Sequence, residues 1–177
     1  MCDGLMTVQE KKHRLPKEFY RGNISVAYAL CLKADVASDV AADVAAGFSL
    51  RDSEIVKIFT NILTSVISKA DCIVPVYCFM PDHQHLIITG TMDTSDIFKA
   101  IVIYKQKTGY WMSVNRPEIK WQKDFYDHII KKHSDMKIQV RYILGNPVRK
   151  GLVSSWQEYP FKGSIGCSLE DVLNGII

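Results

Sequence analysis

No run of eighteen or more apolar residues occurs in this 177-residue sequence, so it offers no candidate for a membrane-spanning helix. Met1 to Lys17 are polar and lack the apolar centre of a signal peptide, which points to the cytoplasm. Cysteine is sparse and unpatterned. Cys2, Cys31, Cys72, Cys78 and Cys167 are odd in number and include no Cys-x-x-Cys; this argues against a disulfide framework or a zinc knuckle and for reduced thiols. The segments Ile24–Leu32 and Val74–Met80 carry no aromatic pattern of the RNP type that stacks bases on a sheet.

What is present is an uneven distribution of charge. The chain carries +3 overall, with 47% hydrophobic and 23% charged residues, ordinary for one globular domain. Between Lys99 and Lys150 twelve Lys or Arg stand against four Asp or Glu, a local excess of +8, and the remainder carries −5. A basic segment in an otherwise acidic chain suits a polyphosphate partner. It equally describes a solvated helix face. Its candidate contacts to a nucleic-acid backbone are Lys105, Lys107, Arg116, Lys123, Lys131, Lys132, Arg141, Arg149 and Lys150.

Residues 1–20 read as a leader, 21–165 as one domain and 166–177 as a tail. Gly22–Leu32 (GNISVAYALCL) has the apolar alternation of a strand. The Asp-rich segment after it spaces Val36, Val40 and Val44 four apart, compatible with a short helix inside a loop-like excursion. Ser49 or Asp52 offers an N-cap to a helix whose stripe is Ile55, Ile58, Phe59, Ile62, Leu63, Val66 and Ile67. Cys72–Met80 is apolar throughout, as a strand covered on both faces would be. Pro81-Asp82 makes a turn, and His83–Thr89 returns as a strand that Gly90 closes. Ser95 offers a cap to a second helix, Asp96 to about Ser113, and Trp121–Ile130 reads as another strand. Ser134 then caps a third helix that Gly145 and Pro147 end. Trp156, Tyr159 and Phe161 are available to cover apolar surface, and a last short helix starts at Leu169. This order predicts an α+β sandwich of ferredoxin-like or RRM-like type, an antiparallel sheet with helices packed mainly on one face.

Three local patterns carry chemistry. In His83-Gln84-His85, residues i and i+2 of a strand point the same way, so both imidazoles project from one side. They suit a shared divalent ion, or they are two packing histidines. Tyr142 and Asn146, four apart on a helix, share a face; a phenol and an amide would reach one site, unless Tyr142 belongs to the core. Between residues 121 and 132, Trp121, Phe125, Tyr126 and His128 are interleaved with Lys123, Lys131 and Lys132. Such interleaving suits stacking on unpaired bases beside backbone phosphate, and a half-buried strand would show the same aromatics.

Taken in order, MPDHQHLI, WQKDFYDHI and YILGNPVRKGLV make the chain resemble the single-tyrosine HUH transposases, and within them the REP-associated branch, from about Val74 to Trp156. The resemblance implies that His83 and His85 bind Mg²⁺ or Mn²⁺, that Asn146 completes the metal site and that Tyr142 is the nucleophile. It further implies single-stranded or hairpin DNA as partner, a 5′-phosphotyrosine intermediate, and a cytoplasmic, nucleoid-associated protein. Trp121, Gln122 and His128 match a family motif with no role assigned by the residues alone. Gln84 departs from the family, which usually has a hydrophobic residue between the histidines. Both a homodimer, with the tyrosine supplied in trans, and a monomer are open. The readings from other classes are a non-catalytic RRM-like nucleic-acid-binding module and a metal-dependent hydrolase with Tyr142 in its core.

Overall fold

The computed structural model describes residues 15–33 and 49–175. The first fourteen residues of the expected leader and the Val36–Val44 segment lie outside the described residues. Strands β1 (Ser25–Cys31), β2 (Cys72–Phe79), β3 (His83–Gly90), β4 (Tyr126–Ile130) and β5 (Lys162–Ile165) alternate with helices α1 (Ser53–Ser68), α2 (Ile97–Asn115), α3 (His133–Arg149) and α4 (Leu169–Asn174). The sheet order is β4-β1-β3-β2-β5, antiparallel at every pairing. Its first four strands with α1 and α2 make the expected α+β sandwich; β5 extends the sheet beyond it.

The sheet has two unlike faces. On the side of α1 and α2, Val26, Tyr28, Leu30, Leu86 and Ile88 pack with Phe59, Leu63, Ile101 and Tyr104 into the larger core. On the other side Val76, Cys78 and Ile87 meet Met136, Val140, Ile143 and Leu144 of α3. Helices therefore cover both faces, two on each, because α3 turns back across the sheet after β4. Pro75 lies where the register of β2 shifts against both neighbours. Proline has no N–H for the ladder, and the irregularity moves the chain from one face to the other. Val74 accordingly faces the first core and Val76 the second.

Several boundaries differ from the sequence expectation. At α1 the expectation holds, with Asp52 of the two candidates as the cap, accepting from the N–H groups of Glu54 and Ile55. Asp96 caps α2 by accepting from Lys99 N–H (2.9 Å). The Ser95 hydroxyl is used elsewhere, donating to Asp71 O and accepting from the Thr91 and Met92 N–H groups. Only Tyr126–Ile130 of the expected 121–130 strand is a strand; Trp121 makes an isolated bridge to Leu32. Lys132, not Ser134, occupies the cap position of α3.

Helix α3 also does not stop at Gly145. It runs through Pro147, whose fixed φ is helical and whose missing N–H removes only one bond of the ladder. It ends where Gly151 takes a φ of 66°. There Gly151 N–H donates to Val148 O and Leu152 N–H to Pro147 O, the paired bonds of a Schellman motif. The leader and tail limits drawn from sequence fall within packed structure: Tyr20 is fully buried, and Val172 of α4 is buried on the α3 side. No helix among the described residues is long and apolar enough to cross a membrane.

Candidate active site

Strand alternation sets the site. Gln84, Leu86 and Ile88 of β3 face α1 and α2, so His83, His85 and Ile87 face α3. The two Nε2 atoms stand 3.1 Å apart, with the rings edge to face. Asp82 accepts from Nδ1 of His83 at 2.7 Å. That bond orients the His83 ring so that its Nε2 faces His85. The bond to His83 is also the main cause that holds the Asp82 carboxyl below the usual carboxylate range. The pKa of His85 is pushed down to about 3, first by burial, then by the charges of His83 and Arg149. Its imidazole is thus a neutral nitrogen donor through the physiological range.

Tyr142 sits against this pair. Its ring meets that of His85 edge-on, with centroids 6.2 Å apart, and it is 42% exposed. It is therefore not the core tyrosine of the alternative reading. That place is taken by Tyr20, Tyr28, Tyr104 and Tyr159, all essentially buried. Asn146, one turn further along α3, is buried, and its Nδ2 has no hydrogen-bond partner among the described residues. Because α3 continues past Pro147, Asn146 shares the helix face of Tyr142.

These residues fit a hard divalent cation in part of its shell. Two nitrogens each about 2.1 Å from one octahedral ion would stand about 3 Å apart, close to the separation of the two Nε2 atoms. Asn146, one turn from Tyr142 on the same helix face, carries an amide oxygen of the kind such an ion takes. No group of three or more His, Cys, Asp or Glu gathers among the described residues, so a protein-only cage is not built. The remaining ligands would come from the amide and from solvent or substrate oxygens, as suits Mg²⁺ or Mn²⁺.

The basic residues divide. Lys131, Lys132, Arg141, Arg149 and Lys150 lie on or beside α3, on the histidine side, and are exposed. Lys107 and Arg116 belong to α2 on the opposite side. Lys105 is turned inward: its Nζ donates to the carbonyls of Gln122, Lys123 and Asp124. Lys123 is exposed in the loop this pins. One cationic run in sequence is thus split between two faces.

The aromatic motif divides in the same way. Trp121 Nε1 donates to Thr108 Oγ1 at 2.9 Å, and Phe125 packs on Tyr28. Gln122 ties the loop to β1 through its N–H to Cys31 O. Asp127 is buried and accepts from Tyr20 Oη. Tyr126 and His128 alternate with it and share the histidine side, Tyr126 in one sheet row with Ala29 and His85. Sequence reasoning missed Asp82, which it read only as a turn residue, although a carboxylate beside a histidine pair was the available signal. It also missed what Gly145 does.

A cavity of about 400 Å³ lies elsewhere, between α1 and α2, lined in part by Lys69, Asp96, Lys99 and Lys107. The histidine–tyrosine site stands on an open face, which suits a long substrate better than a small enclosed one. The thiols Cys72, Cys78 and Cys167 take no part in it; burial pushes Cys78 up to about 12, as expected of an inert thiol.

With this geometry in view, comparisons with known proteins agree on one family. Residues 48–146, more than half the chain, match the family described as "Transposase IS200 like". A Haemophilus influenzae protein provisionally named a REP-associated tyrosine transposase is 29% identical over 97 residues, which span 48% of this chain and 54% of that relative. The chain thus matches about half the length of that relative. The solved structure of a REP-associated tyrosine transposase bound to a REP hairpin superposes with a TM-score of 0.66 at 19% identity, covering 85% of this chain and 81% of that one; at that identity the likeness speaks for the fold. The matched segment contains β3 and most of α3 with His83, His85, Tyr142 and Asn146, and the chain belongs to the IS200-like transposase family.

Proposed function

We propose that this protein cleaves and rejoins single-stranded DNA through a covalent phosphotyrosine, with Tyr142 as nucleophile. The observation that carries the reading is the contact, within one chain, between the Tyr142 ring and that of His85, centroids 6.2 Å apart. Tyr142 Oη would attack the scissile phosphorus, and the bond from phosphorus to the 3′ oxygen would break. The phenol loses its proton, the departing 3′ oxygen gains one, and the phosphate stays on the tyrosine as a 5′-phosphotyrosine. Attack by another 3′-hydroxyl reverses the exchange and frees Tyr142, so no nucleotide cofactor is consumed.

His83, His85 and Asn146 would hold the divalent ion, Mg²⁺ or Mn²⁺. When bound, such an ion withdraws charge from the phosphate oxygens and makes phosphorus a better target. Asp82 keeps the His83 lone pair on the correct nitrogen. Lys131, Lys132, Arg141 and Lys150 would hold the DNA backbone on the α3 side. Hairpin DNA is the partner favoured by the REP hairpin in the related structure. Because Tyr142 reaches the histidines of its own chain, the site needs no second copy, and a homodimer would be an arrangement of two complete sites. Such an enzyme would work on DNA in the cytoplasm, at the nucleoid.

A denaturing gel tests the reading. Hairpin-bearing, 3′-labelled single-stranded oligonucleotides are incubated with the protein and Mn²⁺. A slow-migrating covalent adduct is expected, and Tyr142→Phe should abolish it. Cleavage without an adduct would indicate a hydrolase, and binding without cleavage a non-catalytic module. An adduct that survives in Tyr142→Phe would move the nucleophile to another tyrosine.

A further inference from the structure

Tyr142 is exposed enough that the cores on either side of the sheet do not hold its ring. One neighbour on its own helix does. The Arg149 guanidinium lies over the Tyr142 ring, 4.2 Å from the centroid, while its Nη2 donates to Tyr142 O at 2.7 Å. The side chain reaches back two helical turns, and Gly145 lies on the way. A Cβ at Gly145 would come within 2.9 Å of Arg149 Nη1, closer than such contacts occur, and the flexible guanidinium would be displaced. Glycine is a poor residue for a helix interior, and here its lack of a side chain seats the arginine.

We infer that Arg149 is a positioning residue that fixes the orientation of Tyr142, and that Gly145 is the gap that admits it; the inference rests on Tyr142 as nucleophile. A planar guanidinium stacks on a ring and donates to a carbonyl at once, whereas the point charge of lysine does not. The stack limits rotation of the exposed ring about its side-chain bonds while its edge meets His85. Reaction geometry tolerates little misplacement, and about 1 Å costs on the order of a hundredfold in rate. The competing role for Arg149 is an ordinary phosphate contact. That role predicts weaker DNA binding, a shallower dependence on salt and substantial rescue by lysine.

The test uses the full chain and the hairpin oligonucleotide on which the wild-type protein forms its adduct. Single-turnover adduct rate, hairpin Kd and its salt slope are measured for Arg149→Gln, Arg149→Lys and Gly145→Ala, with Tyr142→Phe as control. Rates for all three variants should fall by about ten- to a hundredfold, with Kd and salt slope unchanged. Gly145→Ala should melt no lower than wild type, since alanine favours the helix, so lost folding would not account for its loss of rate. Adding Gly145→Ala to Arg149→Gln should cost nothing further, because the seat is then empty. A wild-type rate in Gly145→Ala, or rescue by Arg149→Lys with weakened binding in Arg149→Gln, overturns the inference while leaving Tyr142 as nucleophile. If wild type forms no adduct on any oligonucleotide, or Tyr142→Phe still forms one, the nucleophile assignment fails and the inference fails with it.

Discussion

Strand β3 belongs to two different environments along a single stretch of backbone. Towards α1 and α2 it presents Gln84, Leu86 and Ile88, all fully buried. Towards α3 it presents His83 and His85, beside a tyrosine that is 42% exposed. The first side is dry and closed: Gln84 Oε1 accepts from Tyr104 Oη at 2.7 Å, while its buried Nε2 has no partner among the described residues. The second side also holds an amide nitrogen without a partner, that of Asn146, but adds two imidazoles whose Nε2 atoms face each other at 3.1 Å and a part-exposed phenol. An unpaired buried amide is costly on either side; what separates stability from chemistry at intervals of one residue is the titratable and exposed groups, which the α3 side alone of β3 presents.

If that separation is real, substitutions on the two faces should fail in different assays. The largest effect belongs to the site. Replacing His83 or His85 with alanine should lower single-turnover cleavage by on the order of a thousandfold, the equivalent of several kcal/mol of transition-state stabilisation, with little change in Tm. A fall in Tm as large as that of a core deletion would show that the histidines are structural. Asp82→Asn should follow with a smaller loss, about ten- to a hundredfold, read as a raised Mn²⁺ requirement in the same assay.

Leu86→Ala should do the opposite, costing about 2–5 kcal/mol of stability, or roughly 5–20 °C in Tm for a chain of this length. The molecules that remain folded should cleave at the wild-type rate. Tyr104→Phe leaves Gln84 Oε1 without its donor and should cost about 1–3 kcal/mol in urea unfolding. Adding Gln84→Leu should recover much of that loss; strict additivity would mean that the hydrogen bond does not couple the two residues.

Last comes a pH dependence from the site face. The folded His85 resists a proton down to about pH 3, whereas the unfolded chain takes one near 6.5. Between those values the unfolded state binds more protons, so stability falls as pH drops below about 6.5. With metal chelated, lowering the pH from 7 to 5 should cost about 2 kcal/mol from this residue. His85→Gln should flatten that part of the urea-unfolding profile; an unchanged slope would remove His85 as its source.

Much of this organisation was legible in residue order. The alternation of His83-Gln84-His85 assigns opposite faces to the histidines and the glutamine because strand geometry has a period of two. The apolar stripe of α1 and the carboxylate of Asp52 define that helix and its start, since both signals are local. The end of α3 was not legible, because Gly145 and Pro147 are strong stop signals in isolation. Only packing of Ile143 and Leu144 against the sheet, with a later cap at Gly151, carries the helix past them. Nor could the charge excess between residues 99 and 150 reveal that α2 and α3 lie on opposite faces.

By itself, the sequence determined which residues could do chemistry: a histidine pair on one side of a strand, and a tyrosine and an amide one helical turn apart. These follow from local backbone periods. The tertiary structure alone decided that Tyr142 meets His85 within one chain. The other two contacts are local: Asp82 meets its sequence neighbour His83, and Arg149 folds over Gly145 onto Tyr142 within one helix. Only the first depends on how α3 crosses the sheet after β4, and no spacing along the chain encodes that crossing.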